Sequence, residues 1–297
     1  MKIVLFGRNG QVGRALSPLL MQLGEVVALG RSEADLDDPR APAAIIRREE
    51  PEIVINAAAY TAVDAAEDDR DRAFRVNAEA VAEMGAAARR ITAIVVHYST
   101  DFVFDGRSER PYVESDAARP LSVYGESKLA GERALQASGA THLILRTSWN
   151  FSDRGKSFPL SILDLARTRE SLNVVADEFG AATPATLIAS STIVALRQLL
   201  ANRGLGGLYH LTADGAASRY ELAQFIVTAA RAAGADLALG PEAIRPVTAA
   251  SYGAKAKRPQ NSRLDTARFR SSFGLSLPSW QDGIRQLIRS LHNEGRL

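Results

Sequence analysis

The segment VYGESKLAGE, residues 123–132, places a tyrosine four residues before a lysine. Residues at positions i and i+4 share one face of a helix, so the Tyr124 phenol and the Lys128 ammonium can both project into one cleft. A phenol has a pKa of about 10, and a nearby ammonium favours the phenolate and lowers that pKa. We therefore predict that Tyr124 donates a proton to a carbonyl oxygen and that Lys128 tunes its pKa.

A second group of polar residues lies upstream in HYSTDFVFDG, residues 97–106, at the end of a predicted strand. The Thr100 hydroxyl can hydrogen-bond the same carbonyl oxygen, and Asp101 can accept a hydrogen bond from a substrate hydroxyl. Taken alone, each is better explained as a cap of a turn or helix. The carboxyl ends of parallel strands form the ligand edge of a sheet, so we expect both residues to face Tyr124.

A glycine-rich turn, GRNGQVG at residues 7–13, follows the first apolar run and opens the first predicted helix. Glycines allow the tight turn, let backbone amides approach a pyrophosphate and permit close packing of helix on strand. The spacing G-x-x-G-x-x-G is weak evidence alone, but its place inside a βαβ unit favours dinucleotide binding. The cofactor contacts predicted here are Gly7, Asn9, Gly10, Gln11, Val12 and Gly13.

The ends of the next two predicted strands complete this candidate cofactor site. Arg31 follows the second strand, where NAD-selective proteins place an acid, and an arginine accommodates a ribose 2′-phosphate instead. We therefore predict NADPH as the preferred cofactor, with NADH as an alternative. Asp35 and Leu36 lie where a loop can cover the adenine, and small residues after the third strand allow close approach of a ligand. The contacts predicted after the third strand are Ala57, Ala58, Ala59, Tyr60 and Thr61.

Strand and helix patterns alternate along the first half of the chain. Strands are predicted at residues 3–6, 25–29, 53–55, 94–97 and 142–146. Helices are predicted at residues 10–23, 43–48, 65–90 and 121–137. This alternation predicts the α/β class, with a Rossmann-type doubly wound parallel sheet.

The alternation weakens beyond residue 148, where the patterns predict fewer elements. They are helices at residues 186–200, 220–233 and 280–291, a strand at 206–211 and an ordered loop at 244–261. Because no low-complexity linker separates the halves, we predict a smaller C-terminal substrate domain that is interwoven with the first. The predicted dinucleotide-binding domain is 1–147, to which 172–212 returns, and the substrate-binding region is 148–171 and 213–297.

Composition limits the classes of function. The chain has 297 residues and a formal net charge of +2, and it contains no long run of Lys or Arg, so nucleic-acid binding is not expected. The absence of cysteine excludes disulfides, a thiolate nucleophile and Cys-ligated zinc. No apolar run is long enough for a signal peptide or a membrane span, so a cytoplasmic protein without membrane contact is expected.

Together these motifs resemble the extended short-chain dehydrogenase/reductases and, more narrowly, the dTDP-4-dehydrorhamnose reductase family. The resemblance covers nearly the whole chain and implies reduction of the C4 ketone of a nucleotide-bound 4-keto-6-deoxy sugar, with hydride from NADPH or NADH. It is carried, in chain order, by LFGRNGQVG, VINAAAYTAVDAAE, HYSTDFVFDG, VYGESKLAGE, LRTSWNF, DEFGAATPA, GLYHL and RPQNSRLD.

The resemblance also implies roles for individual residues. The catalytic set would be Tyr124 as proton donor, Lys128 as the ligand of the nicotinamide ribose and Thr100 as the group that polarises the ketone. Trp149 would line the sugar site, and cations or donors in RPQNSRLD would meet a thymidine diphosphate. The substrate contacts implied in this way are Thr100, Asp101, Tyr124, Trp149, Arg258, Asn261 and Arg263.

The chain departs from the family pattern at several places. Some members form dimers bridged by magnesium through a Glu two residues after the last glycine of the turn, where this chain has Ala15. Ala189–Ser191 stands where the other carboxylates are expected, so we predict no metal and a monomer or a homodimer without a metal bridge. Tyr60 replaces a histidine and Asn150 a small apolar residue, and both changes can shift the sugar preference.

Three alternatives remain open at the level of sequence. The same chemistry can act on a different nucleotide-linked 4-keto-6-deoxy sugar. An epimerase or dehydratase needs a further acid–base residue, and Asp101 followed by Phe102 argues against dehydration. A regulatory subunit would bind NADP without turnover, which the intact set of Thr100, Tyr124 and Lys128 argues against.

Overall fold

The computed structural model describes residues 1–297 as a central parallel sheet with helices on both faces and a second, smaller unit. None of the helices is both long enough and apolar enough to cross a membrane. The strands are β1 (Lys2–Phe6), β2 (Glu25–Leu29), β3 (Ile53–Asn56), β4 (Ile94–Thr100), β5 (His142–Thr147), β6 (Asn150–Phe151), β7 (Leu172–Val175), β8 (Phe179–Gly180), β9 (Thr183–Pro184), β10 (Gly207–His210), β11 (Ala217–Ser218) and β12 (Ile244–Val247). The helices are α1 (Gln11–Leu20), α2 (Arg40–Glu49), α3 (Val63–Ala66), α4 (Arg70–Phe74), α5 (Ala80–Arg90), α6 (Val123–Ala137), α7 (Phe158–Ala166), α8 (Ala185–Ala201), α9 (Arg219–Ala232), α10 (Ala249–Tyr252), α11 (Ala267–Phe273) and α12 (Trp280–Asn293).

The central sheet has six parallel strands in the order β10-β5-β4-β3-β1-β2. Strand β1 pairs with β2 on one side and with β3 on the other, so the direction of strand addition reverses between β1 and β3. In sheets of this kind ligands bind beyond the carboxyl ends of the strands at such a switch point. The predicted α/β class with a doubly wound parallel sheet is confirmed.

Alternate residues of the buried strands face opposite layers of helices. In β1, Ile3 and Leu5 belong to the core under α1 and α8, whereas Val4 and Phe6 belong to the core under α2 and α5. All four side chains are fully buried. A strand that is covered on both faces has no polar side, so the short apolar run was a sufficient signal for it.

The second unit differs from the predicted division of the chain. Helices α7, α9 and α12 surround a separate core together with the small sheet of β7 and β12. Residues 172–212 were predicted to belong to the first domain, but the chain packs on the central sheet again only from α8 onwards. In α11, Phe269 and Phe273 pack in the core of the central sheet instead of the second unit. Residues 244–261, predicted as a loop, contain β12 and α10. Strand β12 pairs with a strand distant in sequence, which no local pattern shows.

The long helix predicted after β3 is also broken. A π-helical turn at Arg75–Glu79 joins α4 to α5. Within it, the Asn77 side chain accepts a hydrogen bond from the Tyr60 amide at 2.9 Å and donates one to the Ser127 hydroxyl at 3.0 Å. Gly131 permits this contact, because a Cβ there would lie 2.0 Å from the Asn77 carbonyl oxygen. The break therefore holds the loop after β3 against α6.

Helix α6, which carries Tyr124 and Lys128, is fixed to the sheet by a buried ion pair. Glu132 accepts two hydrogen bonds from Arg146 of β5, at 2.8 and 2.7 Å, and both side chains are almost completely buried. At the start of the helix, the Ser122 hydroxyl oxygen accepts a hydrogen bond from the Gly125 backbone amide. These contacts set the position of the helix relative to the ligand edge of the sheet.

Candidate active site

A cleft of about 1260 Å³ opens at the carboxyl ends of the central strands and extends to the second unit. Most of the predicted site residues line it. They are Gly7, Asn9, Gly10, Gln11, Val12, Arg31, Asp35, Leu36, Ala57, Ala58, Ala59, Tyr60, Thr61, Thr100, Asp101, Tyr124, Lys128, Trp149 and Arg258. Three predicted residues do not line the cleft, namely Gly13, Asn261 and Arg263.

The glycine turn is shaped by contacts that leave no room for side chains. Gly7 has a φ of +85°, and a Cβ there would lie 2.6 Å from the backbone of Ala57. A Cβ on Gly13 would lie 2.1 Å from the Gly7 carbonyl oxygen, so Gly13 supports the turn from below the cleft. Gly10 precedes α1 without a side-chain cap, which leaves the first amides of the helix available to an anion. The turn therefore fits a dinucleotide pyrophosphate.

The end of β2 presents a cation to the cleft. Arg31 lines the cleft, and its Nε donates to Asp35 Oδ2 at 3.0 Å. Glu33, the first acid after β2, is occupied elsewhere: its carboxylate accepts hydrogen bonds from the Gly30 amide at 2.9 Å and from Arg8 at 2.6 Å. Arg31 therefore presents a guanidinium to the cleft beside the Asp35 carboxylate, while Glu33 is engaged by protein groups.

The loop after β3 forms the opposite wall of the cofactor region. Asn77 holds this loop by accepting from the Tyr60 amide at 2.9 Å and donating to the Tyr60 carbonyl oxygen at 3.1 Å. Asn56 adds a second contact, because its Oδ1 accepts from the Ala58 amide at 3.1 Å. Asn77 was not among the predicted site residues. The available signal was an asparagine, a poor helix former, inside a segment rich in Ala, Glu and Arg.

Thr100 and Asp101 stand where β4 ends, and both are buried. The Thr100 hydroxyl donates to Asp101 Oδ1 at 3.0 Å, while Asp101 Oδ2 is buried without a hydrogen-bond partner. Burial raises the pKa of Asp101 to about 6, although the Ser262 and Thr100 hydroxyls and the Arg219 guanidinium act in the opposite direction. Asp101 thus places a buried carboxylate at the wall of the cleft, with the Thr100 and Ser262 hydroxyls close to it.

Tyr124 and Lys128 both line the cleft, as their spacing predicted. Lys128 Nζ donates to the Tyr98 carbonyl oxygen at 2.6 Å and lies 3.4 Å from His97 Nε2, and burial lowers the pKa of Lys128 to about 8. Burial raises the pKa of Tyr124 to about 12, with the Thr100 hydroxyl acting in the opposite direction. Burial therefore outweighs any lowering of the Tyr124 pKa by Lys128 in this structure, and the tuning of Tyr124 by Lys128 stays a prediction.

Trp149 has a φ of +46°, which is rare for a residue with a side chain. Its indole lies against Gly180, where a Cβ would be 2.6 Å from a ring carbon. The Arg219 guanidinium lies over the indole, with Cζ 3.7 Å from the ring centroid and 5.1 Å from that of Phe158. Arg219 was not among the predicted site residues, because a single arginine at the start of a helix carries no signal of its place in a cleft.

The residues of the segment RPQNSRLD have two different positions, since some line the cleft and others contact a neighbouring loop. Arg258 lines the cleft, as predicted. The Asn261 amide donates to the carbonyl oxygens of Ser108 and Arg110 at 2.7 and 2.8 Å, and its oxygen accepts from Arg263 Nε at 2.8 Å. The prediction that Asn261 and Arg263 meet a diphosphate is corrected, since their polar atoms bind protein groups away from the cleft lining.

Comparison with known proteins agrees with this geometry. The family model described as RmlD substrate binding domain matches residues 1–293. A dTDP-4-dehydrorhamnose reductase of Escherichia coli strain K12 is 44% identical over 295 residues, which cover 98% of this chain and 98% of that protein. The chain belongs to the dTDP-4-dehydrorhamnose reductase family. The family predicted from the motifs is confirmed.

Solved structures of other family members have the same fold. A dTDP-4-dehydrorhamnose reductase from Clostridium acetobutylicum superposes with a TM-score of 0.89 at 30% identity, covering 98% of this chain and 100% of that one. The enzyme from Bacillus anthracis, solved in complex with NADP, gives 0.88 at 29% identity and covers 97% and 99%. In this member of the family, no group of three or more His, Cys, Asp or Glu side chains is placed to hold a metal ion.

Proposed function

We propose that this protein is a dTDP-4-dehydrorhamnose reductase that reduces the C4 ketone of dTDP-4-dehydro-β-L-rhamnose to dTDP-L-rhamnose with NADPH. The observation that carries the proposal is that Thr100, Tyr124 and Lys128 line one cleft with an uncapped, glycine-shaped helix start. Membership of the family over nearly the whole chain supports the choice of substrate.

NADPH, when bound, supplies the hydride. The glycine turn and the first amides of α1 bind its pyrophosphate, since a helix start with free N–H groups favours an anion. Arg31 binds the 2′-phosphate through charge-assisted hydrogen bonds. Lys128 binds the nicotinamide ribose hydroxyls and stays fixed by its hydrogen bond to the Tyr98 carbonyl oxygen.

Tyr124 gives its proton to the ketone oxygen as hydride reaches C4 of the sugar. Its raised pKa of about 12 keeps the phenol protonated at neutral pH, so the donor form is the resting form. The Thr100 hydroxyl polarises the ketone, and the Asp101 carboxylate, which lines the cleft, accepts a hydrogen bond from a sugar hydroxyl. Trp149 lines the sugar and excludes water from it.

The test is incubation of the purified protein with NADPH and dTDP-4-keto-6-deoxyglucose, in the presence of the 3,5-epimerase that converts it. We expect NADPH oxidation with loss of the ketone, and dTDP-L-rhamnose by NMR. The Tyr124→Phe variant should bind NADPH normally while its kcat falls by about 10² to 10⁴, as loss of a proton donor requires. NADPH binding without oxidation would support a regulatory subunit instead, and a different product sugar would assign the enzyme to another 6-deoxyhexose.

The proposal also covers which unit binds which ligand, the cellular location and the oligomeric state. We propose that residues 1–147 together with α8 and β10 bind the cofactor, and that the second unit binds the sugar nucleotide. A cytoplasmic location and a monomeric or homodimeric state stay predictions, which cell fractionation and light scattering after gel filtration test.

A further inference from the structure

The Arg219 guanidinium is a cation in the cleft that has no hydrogen-bond partner in the protein. It lines the cleft and is stacked on Trp149, with Cζ 3.7 Å from the ring centroid. Burial lowers the pKa of Arg219 to about 10. The charged groups around it act without a hydrogen bond: Glu178 and Asp101 favour the charged form of the guanidinium, and Arg258 opposes it. Its hydrogen-bond donors are therefore available to a ligand.

The obvious protein partner for Arg219 is adjacent but is not used. Strands β8 and β11 are antiparallel, with Ser218 opposite Phe179, and the Arg219 amide then donates to the Glu178 carbonyl oxygen at 3.3 Å. The two side chains are thus cross-strand neighbours, yet they form neither an ion pair nor a hydrogen bond, and the Glu178 side chain is itself buried in the cleft wall. Aromatic stacking, and not the acid, holds the guanidinium in place.

The way in which Arg219 is held indicates what it binds. A stacked guanidinium uses its flat face against the ring and leaves its N–H groups in the plane, where they form a fork that matches two phosphate oxygens. Arg258 lines the same cleft and donates to Asp64 at 2.9 Å through one nitrogen, so a second guanidinium is nearby. A dianionic group between Arg219 and Arg258 would relieve their mutual repulsion.

We propose that Arg219 binds the diphosphate of the nucleotide-linked substrate, together with Arg258. The inference rests on the proposed function, and it assigns to Arg219 the role that the sequence had suggested for Asn261 and Arg263. Glu178 has the opposite effect, because its carboxylate is a like charge close to the incoming diphosphate. Two substitutions at cross-strand neighbours should therefore change diphosphate affinity in opposite directions.

Isothermal titration of the full-length protein with dTDP tests the inference without requiring turnover. Arg219→Gln should weaken dTDP binding about 10- to 100-fold, which is the range of a lost charge-assisted contact. The dTDP affinity of Arg219→Lys should lie between that of the unaltered protein and that of Arg219→Gln. Glu178→Gln should tighten dTDP binding about two- to tenfold. Arg289→Gln removes an exposed arginine that does not line the cleft and should leave dTDP binding unchanged. The Kd for NADPH should stay constant in all four variants, which also verifies that they are folded.

The outcomes separate this inference from the function on which it rests. If the unaltered protein binds dTDP and Arg219→Gln binds it within twofold as tightly, Arg219 does not contact the diphosphate, and the reductase function stands. If Arg219→Gln weakens the binding of dTDP-L-rhamnose but not that of dTDP, Arg219 contacts the sugar and the inference is wrong. If Glu178→Gln weakens dTDP binding, the repulsion assigned to the Glu178 carboxylate is wrong. If the unaltered protein binds no dTDP and reduces no dTDP-linked ketone, the proposed function fails as well.

Discussion

Replacing Asp101 by asparagine should make the protein more stable and less active. The pKa of this carboxyl is raised from 3.8 to about 6, mainly by burial, so the folded protein holds the charged form at a cost. The difference between the two values is worth roughly 3 kcal/mol at neutral pH. The substituted side chain would keep the hydrogen bond from Thr100, since Oδ1 accepts it, and would place its amide where Oδ2 now has no partner.

The pH dependence of this gain follows from the sign of the pKa change. A carboxyl whose folded-state pKa is raised binds more protons in the folded than in the unfolded protein between pH 3.8 and about 6, so its contribution to stability falls as pH rises through that window. The advantage of Asp101→Asn should be near zero below pH 4, grow up to about pH 6 and then stay constant. Equilibrium denaturation in urea at half-unit steps from pH 4 to pH 8 measures it.

Asp105 offers a matched control of opposite sign. Burial acts to raise its pKa, but the hydrogen bond that it accepts from the Tyr112 hydroxyl at 2.8 Å contributes to a pKa below the ordinary value. Asp105→Asn should therefore destabilise the protein at pH 7, and this loss of stability should disappear on acidification. In kinetics, Asp101→Asn should lower kcat/KM for the sugar substrate about tenfold or more. An Asp101→Asn protein that is less stable than the parent at pH 7, or a stability difference that ignores pH, would refute the reasoning.

Three further substitutions test other parts of the structure. Gly180→Ala places a methyl group 2.6 Å from a carbon of the Trp149 ring, so KM for the sugar substrate should rise about tenfold or more while KM for NADPH stays constant; equal effects on both would count against Trp149 as a sugar contact. Glu132→Gln leaves Arg146 buried without its counter-charge and should lower the free energy of unfolding in urea by about 3–5 kcal/mol, and a loss below about 1 kcal/mol would show that the pair is dispensable. Arg31→Gln should lower kcat/KM for NADPH about tenfold and leave that for NADH unchanged; a parallel fall with both cofactors would exclude a 2′-phosphate contact.

The elements of the central sheet could be predicted because their signals are local. Strand β2 begins and ends where the apolar pattern placed it, at residues 25 and 29. Strand β4 runs three residues beyond its prediction, to Thr100, because its polar end is buried against neighbouring strands and not marked by apolar side chains. The pairing of β7 with β12 and the π-helical turn around Asn77 depend on tertiary contacts that single-sequence patterns do not contain.

The residues of the candidate site also differ in how far local sequence signals could predict them. Backbone requirements leave a mark in sequence, since only glycine fits at Gly7, where φ is positive and Ala57 is in contact. Arginines leave no such mark. Three of them, Arg219, Arg258 and Arg263, were equally plausible ligands of a diphosphate by residue type, and only the packing shows that Arg263 is turned to Asn261 while Arg219 is stacked in the cleft.

The tyrosine and lysine of α6 show why spacing predicts a site better than it predicts a pKa. The i and i+4 positions correctly brought both side chains to one cleft, because helix geometry alone decides which face a residue occupies. The pKa of Tyr124 depends instead on solvation, which the spacing does not contain, and the ammonium of Lys128 is directed to the Tyr98 carbonyl oxygen. A phenol with a pKa of about 12 is protonated at physiological pH but is a weak acid, so proton transfer to a ketone needs a group that stabilises the phenolate as it forms. What Lys128 adds must then be exerted on the bound cofactor, or on the phenolate that remains after the proton has left.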